Sequence, residues 1–184
     1  MIDMGFCQNL NQEKDLVIRK ADAEDVYTAA KINYENWMKT YQDILPEAFL
    51  AELTVEKMEQ DLKNYLLEEK KGLLVCCEGT KILGFASYEE DKEIEDCRYL
   101  ASLHVISEAR GQGIGTKLIR KVGSLSRREN YGHLSICILV ENQRAGSLYR
   151  KLGAEHYQYF QDDFHGVATN SEKLWWKNLE MFED

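Results

Sequence analysis

The chain has 184 residues, 44% of them hydrophobic and 30% charged, which is the composition of a globular protein large enough to bury a core. A net charge of −9 argues against nucleic acid as the main partner, and no apolar run approaches the roughly 20 residues of a membrane span. Because residues 1–15 lack a basic start followed by an apolar segment, we also expect no signal peptide, no membrane partner and a cytoplasmic location.

The first part of the chain is predicted to contain one strand followed by three helices. The strand occupies residues 16–19, and Asp22 can cap a helix because its carboxylate accepts hydrogen bonds from backbone N–H groups. Pro46 suits the first turn of a second, short helix, and Thr54 can cap a third helix that extends to Leu66. The face that the first helix buries is predicted to comprise Val26, Ala29, Ala30, Asn33 and Trp37.

Three strands are predicted next. Residues 73–77 and 81–89 are separated by the turn residues 78–80, which indicates a hairpin. The acidic residues 89–96 are expected to form a solvated connection to the third strand, residues 99–106.

A glycine-rich turn, residues 110–115, follows that strand. It precedes an amphipathic helix with Leu118, Ile119, Val122 and Leu125 on one face. Glycines let the backbone approach a ligand closely, and amides at a helix start carry partial positive charge. The turn is therefore predicted to bind a phosphate group.

The remainder of the chain is predicted to alternate strand and helix. A buried strand at 134–140 precedes a helix that ends at Gly153, and closing strands at 155–160 and 174–182 are joined by a loop at 161–172. This order favours a mixed sheet with helices on both faces. The apolar face of the helix comprises Ala145, Leu148, Tyr149 and Leu152.

The cysteines are odd in number and follow no metal-ligand spacing, so we expect reduced thiols and no metal site. Cys76 and Cys77 lie inside an apolar run and are predicted to be buried strand residues. The full set is Cys7, Cys76, Cys77, Cys97 and Cys137.

Charge is unevenly distributed along the chain. Residues 110–151 contain nine Lys or Arg and two Glu, a local charge of +7, so the remaining residues carry −16. Screening limits charge effects to roughly 8 Å at physiological salt. A ligand phosphate at the glycine-rich turn would therefore experience the local positive charge rather than the total.

Spacing excludes two common glycine motifs. A P-loop counted from Gly111 would need a second glycine where Thr116 stands. The dinucleotide fingerprint needs Gly-x-Gly-x-x-Gly, whereas Gly111, Gly113 and Gly115 alternate. The remaining pattern is Arg-x-x-Gly-x-Gly between a strand and a helix.

This pattern and the residues around it resemble the GNAT superfamily of acetyl-CoA-dependent N-acetyltransferases over roughly residues 16–182. The N-terminal run Trp37-x-x-Thr40-Tyr41-x-x-x-Leu45-Pro46 is similar to a bacterial-type branch of that family. The matching segments are Leu103-His104-Val105, then after five residues Gly111-Gln112-Gly113-Ile114-Gly115-Thr116, then Asn142, Ala145, Tyr149 and Leu152-Gly153.

The resemblance implies a mixed α/β fold. Its central sheet would be mostly antiparallel with about seven strands, of which the fourth and fifth splay apart, and helices would cover both faces. It also implies one N-acetyltransferase domain at residues 16–184, preceded by an N-terminal extension at residues 1–15. A homodimer is compatible with the habit of the family.

The resemblance also implies acetyl-CoA as co-substrate, with no metal. Backbone amides of residues 111–116 would bind the pyrophosphate, and Arg110 would stand at the entrance to the turn. Leu103 and Val105 would offer backbone groups to the pantetheine arm. His104, Asn142 and Ala145 would complete the coenzyme site, with the Asn142 amide hydrogen-bonded to the pantetheine.

The implied reaction is direct attack by a primary amine on the thioester in a ternary complex, so no protein nucleophile is needed. The Val105 N–H would polarise the thioester carbonyl. Tyr149 would protonate the departing thiolate, because a phenol with a pKa of roughly 10 stays protonated at neutral pH. Trp37 and Tyr41 would line the pocket for the acceptor, a small-molecule or peptide amine.

The general base is not supplied by the resemblance. Many relatives carry a glutamate where this chain has Tyr99, or five residues before the asparagine, where it has Cys137. His104, Glu89, Glu90 and solvent remain candidates for accepting the proton of the amine.

Two other interpretations stay open at the level of sequence. A non-catalytic acetyl-CoA sensor would keep the phosphate-binding turn without a working base. An anion-binding protein on an unrelated α/β fold would use the turn for a different ligand.

The acidic remainder of the chain favours a cationic acceptor, such as a polyamine, an aminoglycoside or a peptide amine.

Overall fold

The computed structural model describes residues 15–164 and 166–182, so the predicted N-terminal extension lies outside it apart from Asp15, as does Cys7. The described strands are β1 Leu16–Lys20, β2 Gly72–Glu78, β3 Lys81–Glu90, β4 Cys97–Val105, β5 His133–Leu139, β6 Glu155–Phe164 and β7 Val167–Trp176. The described helices are α1 Val26–Tyr41, α2 Glu47–Ala51, α3 Val55–Leu67, α4 Ile114–Arg128 and α5 Gln143–Lys151.

The strands form one sheet in the order β1-β2-β3-β4-β5-β7-β6. Neighbouring strands are antiparallel except β4 and β5, which are parallel and pair at three positions only. These pairs join Cys97 to His133, Arg98 to Leu134 and Tyr99 to Ser135, after which the two strands separate. The predicted fold, including the splayed fourth and fifth strands, is confirmed.

A hydrophobic core covers each face of the sheet. On one face α4 and α5 pack through residues such as Leu118 and Tyr149, and on the other α1 and α3 pack around Phe85. Cys76 contributes to the first core and Cys77 to the second, which confirms that both are buried strand residues. None of the described helices is long and apolar enough to cross a membrane.

The helix starts differ in part from the predictions. Thr54 caps α3 as predicted, accepting a hydrogen bond from the Lys57 N–H at 3.2 Å. The prediction that Asp22 caps α1 is wrong, because Asp25 occupies the N-cap position and Asp22 accepts from backbone N–H groups in the preceding turn. Asp25 is held there by a 2.5 Å ion pair with Arg19 on β1.

The closing hairpin is longer than predicted. The predicted loop at 161–172 belongs almost entirely to β6 and β7, and residues 177–182 are not a strand. The sequence is misleading there because polar residues occupy buried strand positions. Glu172, for example, is 3% exposed and bonds Arg150 on α5 at 2.5 Å and His156 on β6 at 3.0 Å.

The prediction of a solvated connection between β3 and β4 is wrong at Asp91, whose side chain is buried. Its side chain is 1% exposed and pairs with Lys173 on β7 at 3.0 Å. Burial by itself would raise the pKa of Asp91, but hydrogen bonds from Ser135, the Glu93 N–H and Lys173 hold that pKa below its usual range. This ion pair ties the β3–β4 connection to β5 and β7.

We expect Lys173→Ala to lower the free energy of unfolding by roughly 3–5 kcal/mol, because it leaves the Asp91 carboxylate buried without a charged partner. Urea denaturation measures the loss. The matched control is Lys177→Ala, since Lys177 and its partner Glu155 are both more than half exposed. We expect less than about 1 kcal/mol for that variant. Equal losses in the two variants would contradict this account of the buried pair.

Candidate active site

A cleft of about 810 Å³ opens where β4 and β5 separate. Its walls come from α1, β4, the glycine-rich turn, β5, α5 and the β6–β7 hairpin. A volume of this size is typical of sites that bind small molecules or cofactors. It is lined by all of the residues predicted to bind the coenzyme or the acceptor except Gln112, whose Nε2 donates to the Glu108 carbonyl oxygen at 3.1 Å.

The end of β4 presents unpaired backbone groups to this cleft. In the β3–β4 ladder the Ile106 N–H bonds the Leu83 carbonyl oxygen, so Ile106 and His104 direct their backbone groups toward β3. Leu103 and Val105 alternate with them and direct theirs toward the gap. Neither has a partner on β5, because pairing there stops at Tyr99.

The side chains of Asn36 and Arg110 hold the last residue of β4. Asn36 Nδ2 donates to the Val105 carbonyl oxygen at 3.1 Å, and Arg110 Nε donates to the same oxygen at 3.2 Å. Arg110 also donates to Asn36 Oδ1. The Val105 carbonyl is therefore occupied, and the strand end is fixed to α1, while the Val105 N–H remains directed toward the gap.

Asn36 was missed at the sequence level, where Asn33 was placed on the buried face of α1 instead. Asn36 is 5% exposed, a burial that polar residues tolerate only with hydrogen-bond partners. Its spacing of seven residues from Ala29 would have placed it on the apolar face.

Three backbone amides at the start of α4, directly after the glycine-rich turn, have no partner within the helix. The first bond within that helix runs from the Lys117 N–H to the Gly113 carbonyl oxygen, so the N–H groups of residues 114–116 have no partner inside the helix. Gly111 and Gly113 have φ of +81° and +78°, a region that favours glycine. Space beside both glycines is open, which leaves room for a ligand against the backbone.

Three polar side chains meet at the opposite wall of the cleft. Asn142 caps α5 by accepting from the Ala145 N–H at 3.3 Å, and its Nδ2 donates to the Tyr41 hydroxyl at 3.4 Å. Tyr149 is 5% exposed, with its ring against Trp176. Burial raises the pKa of Tyr149 above its ordinary value, as does the nearby Tyr41, so its hydroxyl stays protonated at neutral pH.

His104 lies on the other face of β4 from Val105, with its ring 5.3 Å from that of Phe85. Burial and, to a smaller extent, the positive charge of Arg110 lower the pKa of His104 to about 4. The imidazole is thus uncharged at neutral pH and binds a proton weakly, which makes it a poor general base.

The other candidates for a base are not brought to the reacting region. Glu89 contacts Tyr65 and Lys71, Glu90 bonds Lys70, and neither lines the cleft. Tyr99 and Cys137 do line it, side by side on β4 and β5. Burial raises the pKa of both, so both are uncharged at neutral pH.

The far end of the cleft combines aromatic rings with a carboxylate. Trp37 and Tyr41, whose ring centroids are 4.7 Å apart, pack with Leu139 at the end of β5. Leu139 pairs with Ser171 on β7, and Ser171 Oγ donates to Asp162 Oδ2 at 2.6 Å. Asp162 and Ser171 were missed at the sequence level because both were assigned to a loop.

Comparison with known proteins identifies relatives along most of the chain. The sequence profile of the acetyltransferase (GNAT) family matches residues 34–154. YuaI of Bacillus subtilis, an uncharacterized N-acetyltransferase, is 24% identical over 172 residues, which is 91% of this chain and 96% of that protein.

Solved structures share the fold. The ribosomal-protein-alanine N-acetyltransferase of Brucella melitensis superposes with a TM-score of 0.71 at 23% identity, covering 88% of this chain and 99% of its own. The PaiA N-acetyltransferase of Thermoplasma acidophilum, solved in complex with coenzyme A, gives 0.68 at 21% identity, covering 85% of this chain and 97% of its own. The interpretation as an anion-binding protein on an unrelated α/β fold is therefore wrong.

We expect the His104 imidazole to titrate with a pKa of about 4, against an ordinary value of 6.5. NMR of the ring resonances measures it. Because the folded state resists a proton that the unfolded chain accepts, stability is lost as pH falls from about 6.5 toward about 4. His104→Gln should remove that part of the pH dependence. A midpoint near 6.5 in the folded protein would contradict the burial of this ring.

Proposed function

The chain belongs to the acetyltransferase (GNAT) family, and on that premise we propose that it transfers the acetyl group of acetyl-CoA to a primary amine by direct attack within a ternary complex. Family membership makes the chain an acyltransferase, which sets aside the interpretation as a non-catalytic sensor. One observation carries the proposal: the unpaired backbone of Leu103 and Val105 lies in the same cleft as the glycine-rich turn and Tyr149.

Acetyl-CoA suits the chemistry of this cleft. The unpaired amides of residues 114–116 and the open space beside Gly111 and Gly113 fit a pyrophosphate. The unpaired strand edge at Leu103 and Val105 fits the amide groups of a pantetheine arm, which can add to it as a further strand would. The coenzyme A complex of PaiA supports this assignment.

In this proposal Val105 polarises the thioester carbonyl and Tyr149 protonates the leaving group. The Val105 N–H donates to the thioester carbonyl oxygen, where negative charge develops as the amine attacks. Tyr149 then gives its proton to the departing thiolate. Burial raises the pKa of Tyr149, so its hydroxyl keeps the proton at neutral pH until the thiolate departs.

We assign removal of the amine proton to solvent. Three side chains that line the described cleft are candidates for the base. His104 has a pKa of about 4, and Tyr99 and Cys137, which occupy the positions where the resemblance implies a glutamate, are uncharged. None of the three is a strong base at neutral pH. The amine therefore loses its proton before or during entry, and the rate should rise with pH.

We further propose that this activity resides in one domain at residues 16–184 and in the cytoplasm. Cys76, Cys77, Cys97 and Cys137 are free in the structure, which supports a reducing compartment.

The experiment that tests the proposed function has two arms. Calorimetric titration with acetyl-CoA should show saturable binding, and thiol release over a panel of amines should show transfer. Gly113→Ala should weaken acetyl-CoA binding, because a side chain at its left-handed φ strains the turn by about 1–2 kcal/mol. Gly79→Ala, at a left-handed hairpin position away from the cleft, is the control for strain alone. Absence of saturable binding would refute the proposal.

We expect Tyr149→Phe to reduce kcat roughly 100-fold or more while acetyl-CoA affinity changes little, because the hydroxyl acts as a general acid after binding. Steady-state kinetics and calorimetry separate the two effects. Tyr88→Phe, which removes a buried phenol hydroxyl on β3, is the control. Equal losses of turnover and affinity in Tyr149→Phe would assign Tyr149 to packing instead.

A further inference from the structure

The carboxylate of Asp162 stands out among the charged groups in the cleft. It is the one carboxylate among the described residues that line the cleft, whereas Arg110 and Arg144 supply positive charge near the glycine-rich turn and the start of α5. The described partners of Asp162 are neutral: Ser171 Oγ donates to Oδ2 at 2.6 Å, and Thr169 Oγ1 donates to its carbonyl oxygen at 3.5 Å. Its negative charge is therefore available to a ligand.

Contacts within the β6–β7 hairpin fix the position of this carboxylate. Ser171 is 2% exposed and lies next to Leu139 in the β5–β7 ladder, on the face that packs against Trp37 and Tyr41. The hydrogen bond from Ser171 fixes Oδ2, and Oδ1 has no hydrogen-bond partner among the described residues. Aromatic faces beside a carboxylate form a site that favours a cation, since both attract positive charge.

The reacting nitrogen itself is a poor partner for Asp162. A carboxylate close to an ammonium raises the pKa of that ammonium, and the attacking amine has to be uncharged. The carboxylate of Asp162 bonds Ser171 on β7, and a thioester in the gap beyond β5 would lie two strand spacings from β7. Two strand spacings amount to roughly 10 Å, which a chain of several carbons spans.

We infer that Asp162, oriented by Ser171, binds a second cationic group of the acceptor, so that the preferred acceptor is an aliphatic amine carrying another positive charge several bonds away. This inference rests on the proposed function and specifies its substrate class. Asp162 acts here as a specificity-determining residue that contacts the substrate away from the reacting atoms.

The test compares diaminobutane with butylamine, which share a four-carbon chain and differ in the second amine. We expect wild-type kcat/KM to be at least about tenfold higher for the diamine, a difference of about 1.4 kcal/mol. Asp162→Asn should abolish most of that ratio through a higher KM for the diamine. Ser171→Ala should reduce the ratio less, because it disorients the carboxylate without removing its charge.

Asp163→Asn is the matched control. It makes the same charge change one residue away, at an exposed side chain, and asparagine can still accept the Gly166 N–H bond that Asp163 Oδ1 accepts at 2.9 Å. The diamine preference should survive in this variant. Calorimetric titration of diaminobutane into the complex with coenzyme A provides a second readout that does not need turnover, and Asp162→Asn should weaken that binding by the same factor.

Several outcomes would overturn the inference. Transfer to amines without a preference for the diamine would refute the dicationic acceptor while leaving the proposed function intact. A uniform loss of kcat for both amines in Asp162→Asn, with a shifted pH profile, would make Asp162 a proton acceptor. Failure of acetyl-CoA to bind the wild-type protein would instead refute the proposed function itself.

Discussion

The site exists because β4 and β5 part after three paired positions. Unpaired strand edges normally have to be covered or paired, since backbone groups that lack partners cost free energy. Here α1 contributes Asn36, which together with Arg110 occupies the Val105 carbonyl. The Val105 N–H points to the same side of the strand and has no partner among the described residues. The end of β4 is thus fixed to α1, while this N–H is left available to a ligand in the gap.

The two faces of the sheet divide the binding tasks. The α4 face carries Tyr149 and the helix that begins at the glycine-rich turn, which suit an anionic coenzyme. The α1 face carries Trp37, Tyr41 and Asp162, which suit an organic cation. Because the gap between β4 and β5 passes through the sheet, ligands approaching from opposite sides can meet there. In the proposed reaction, this arrangement would keep the anionic coenzyme and a cationic acceptor apart except at their reacting groups.

Two uncharged side chains lie beside that gap, at positions where the family resemblance implies a glutamate. Tyr99 and Cys137 replace the glutamates expected at the start of β4 and on β5, and they contact one another. Lys173 and Asp91 form a buried ion pair close by, with Lys173 over the ring of Tyr99. The buried charges next to Tyr99 are thus already paired with each other.

Much of the fold could be predicted from local patterns. The apolar runs of β2 and β3 with the turn between them, the Thr54 cap and the glycines at 111 and 113 each depend on neighbours in sequence, and their structures agree with the pattern. The order of these elements, with the spacing from the turn to Tyr149, was enough to place the chain in its family. Periodicity and turn chemistry are local properties, which is why they can be read from the chain alone.

The burial and the partners of several polar residues were determined by the tertiary structure alone. Asn36 holds the end of β4, and the side chain of Asp91 is buried. A polar stretch of the sequence forms strands β6 and β7, which place Asp162 in the cleft. Each of these outcomes depends on a partner far away in sequence, such as Val105, Lys173 or Ser171. A charged or amide side chain is buried only where such a partner satisfies it, and spacing along one segment carries no information about partners on another.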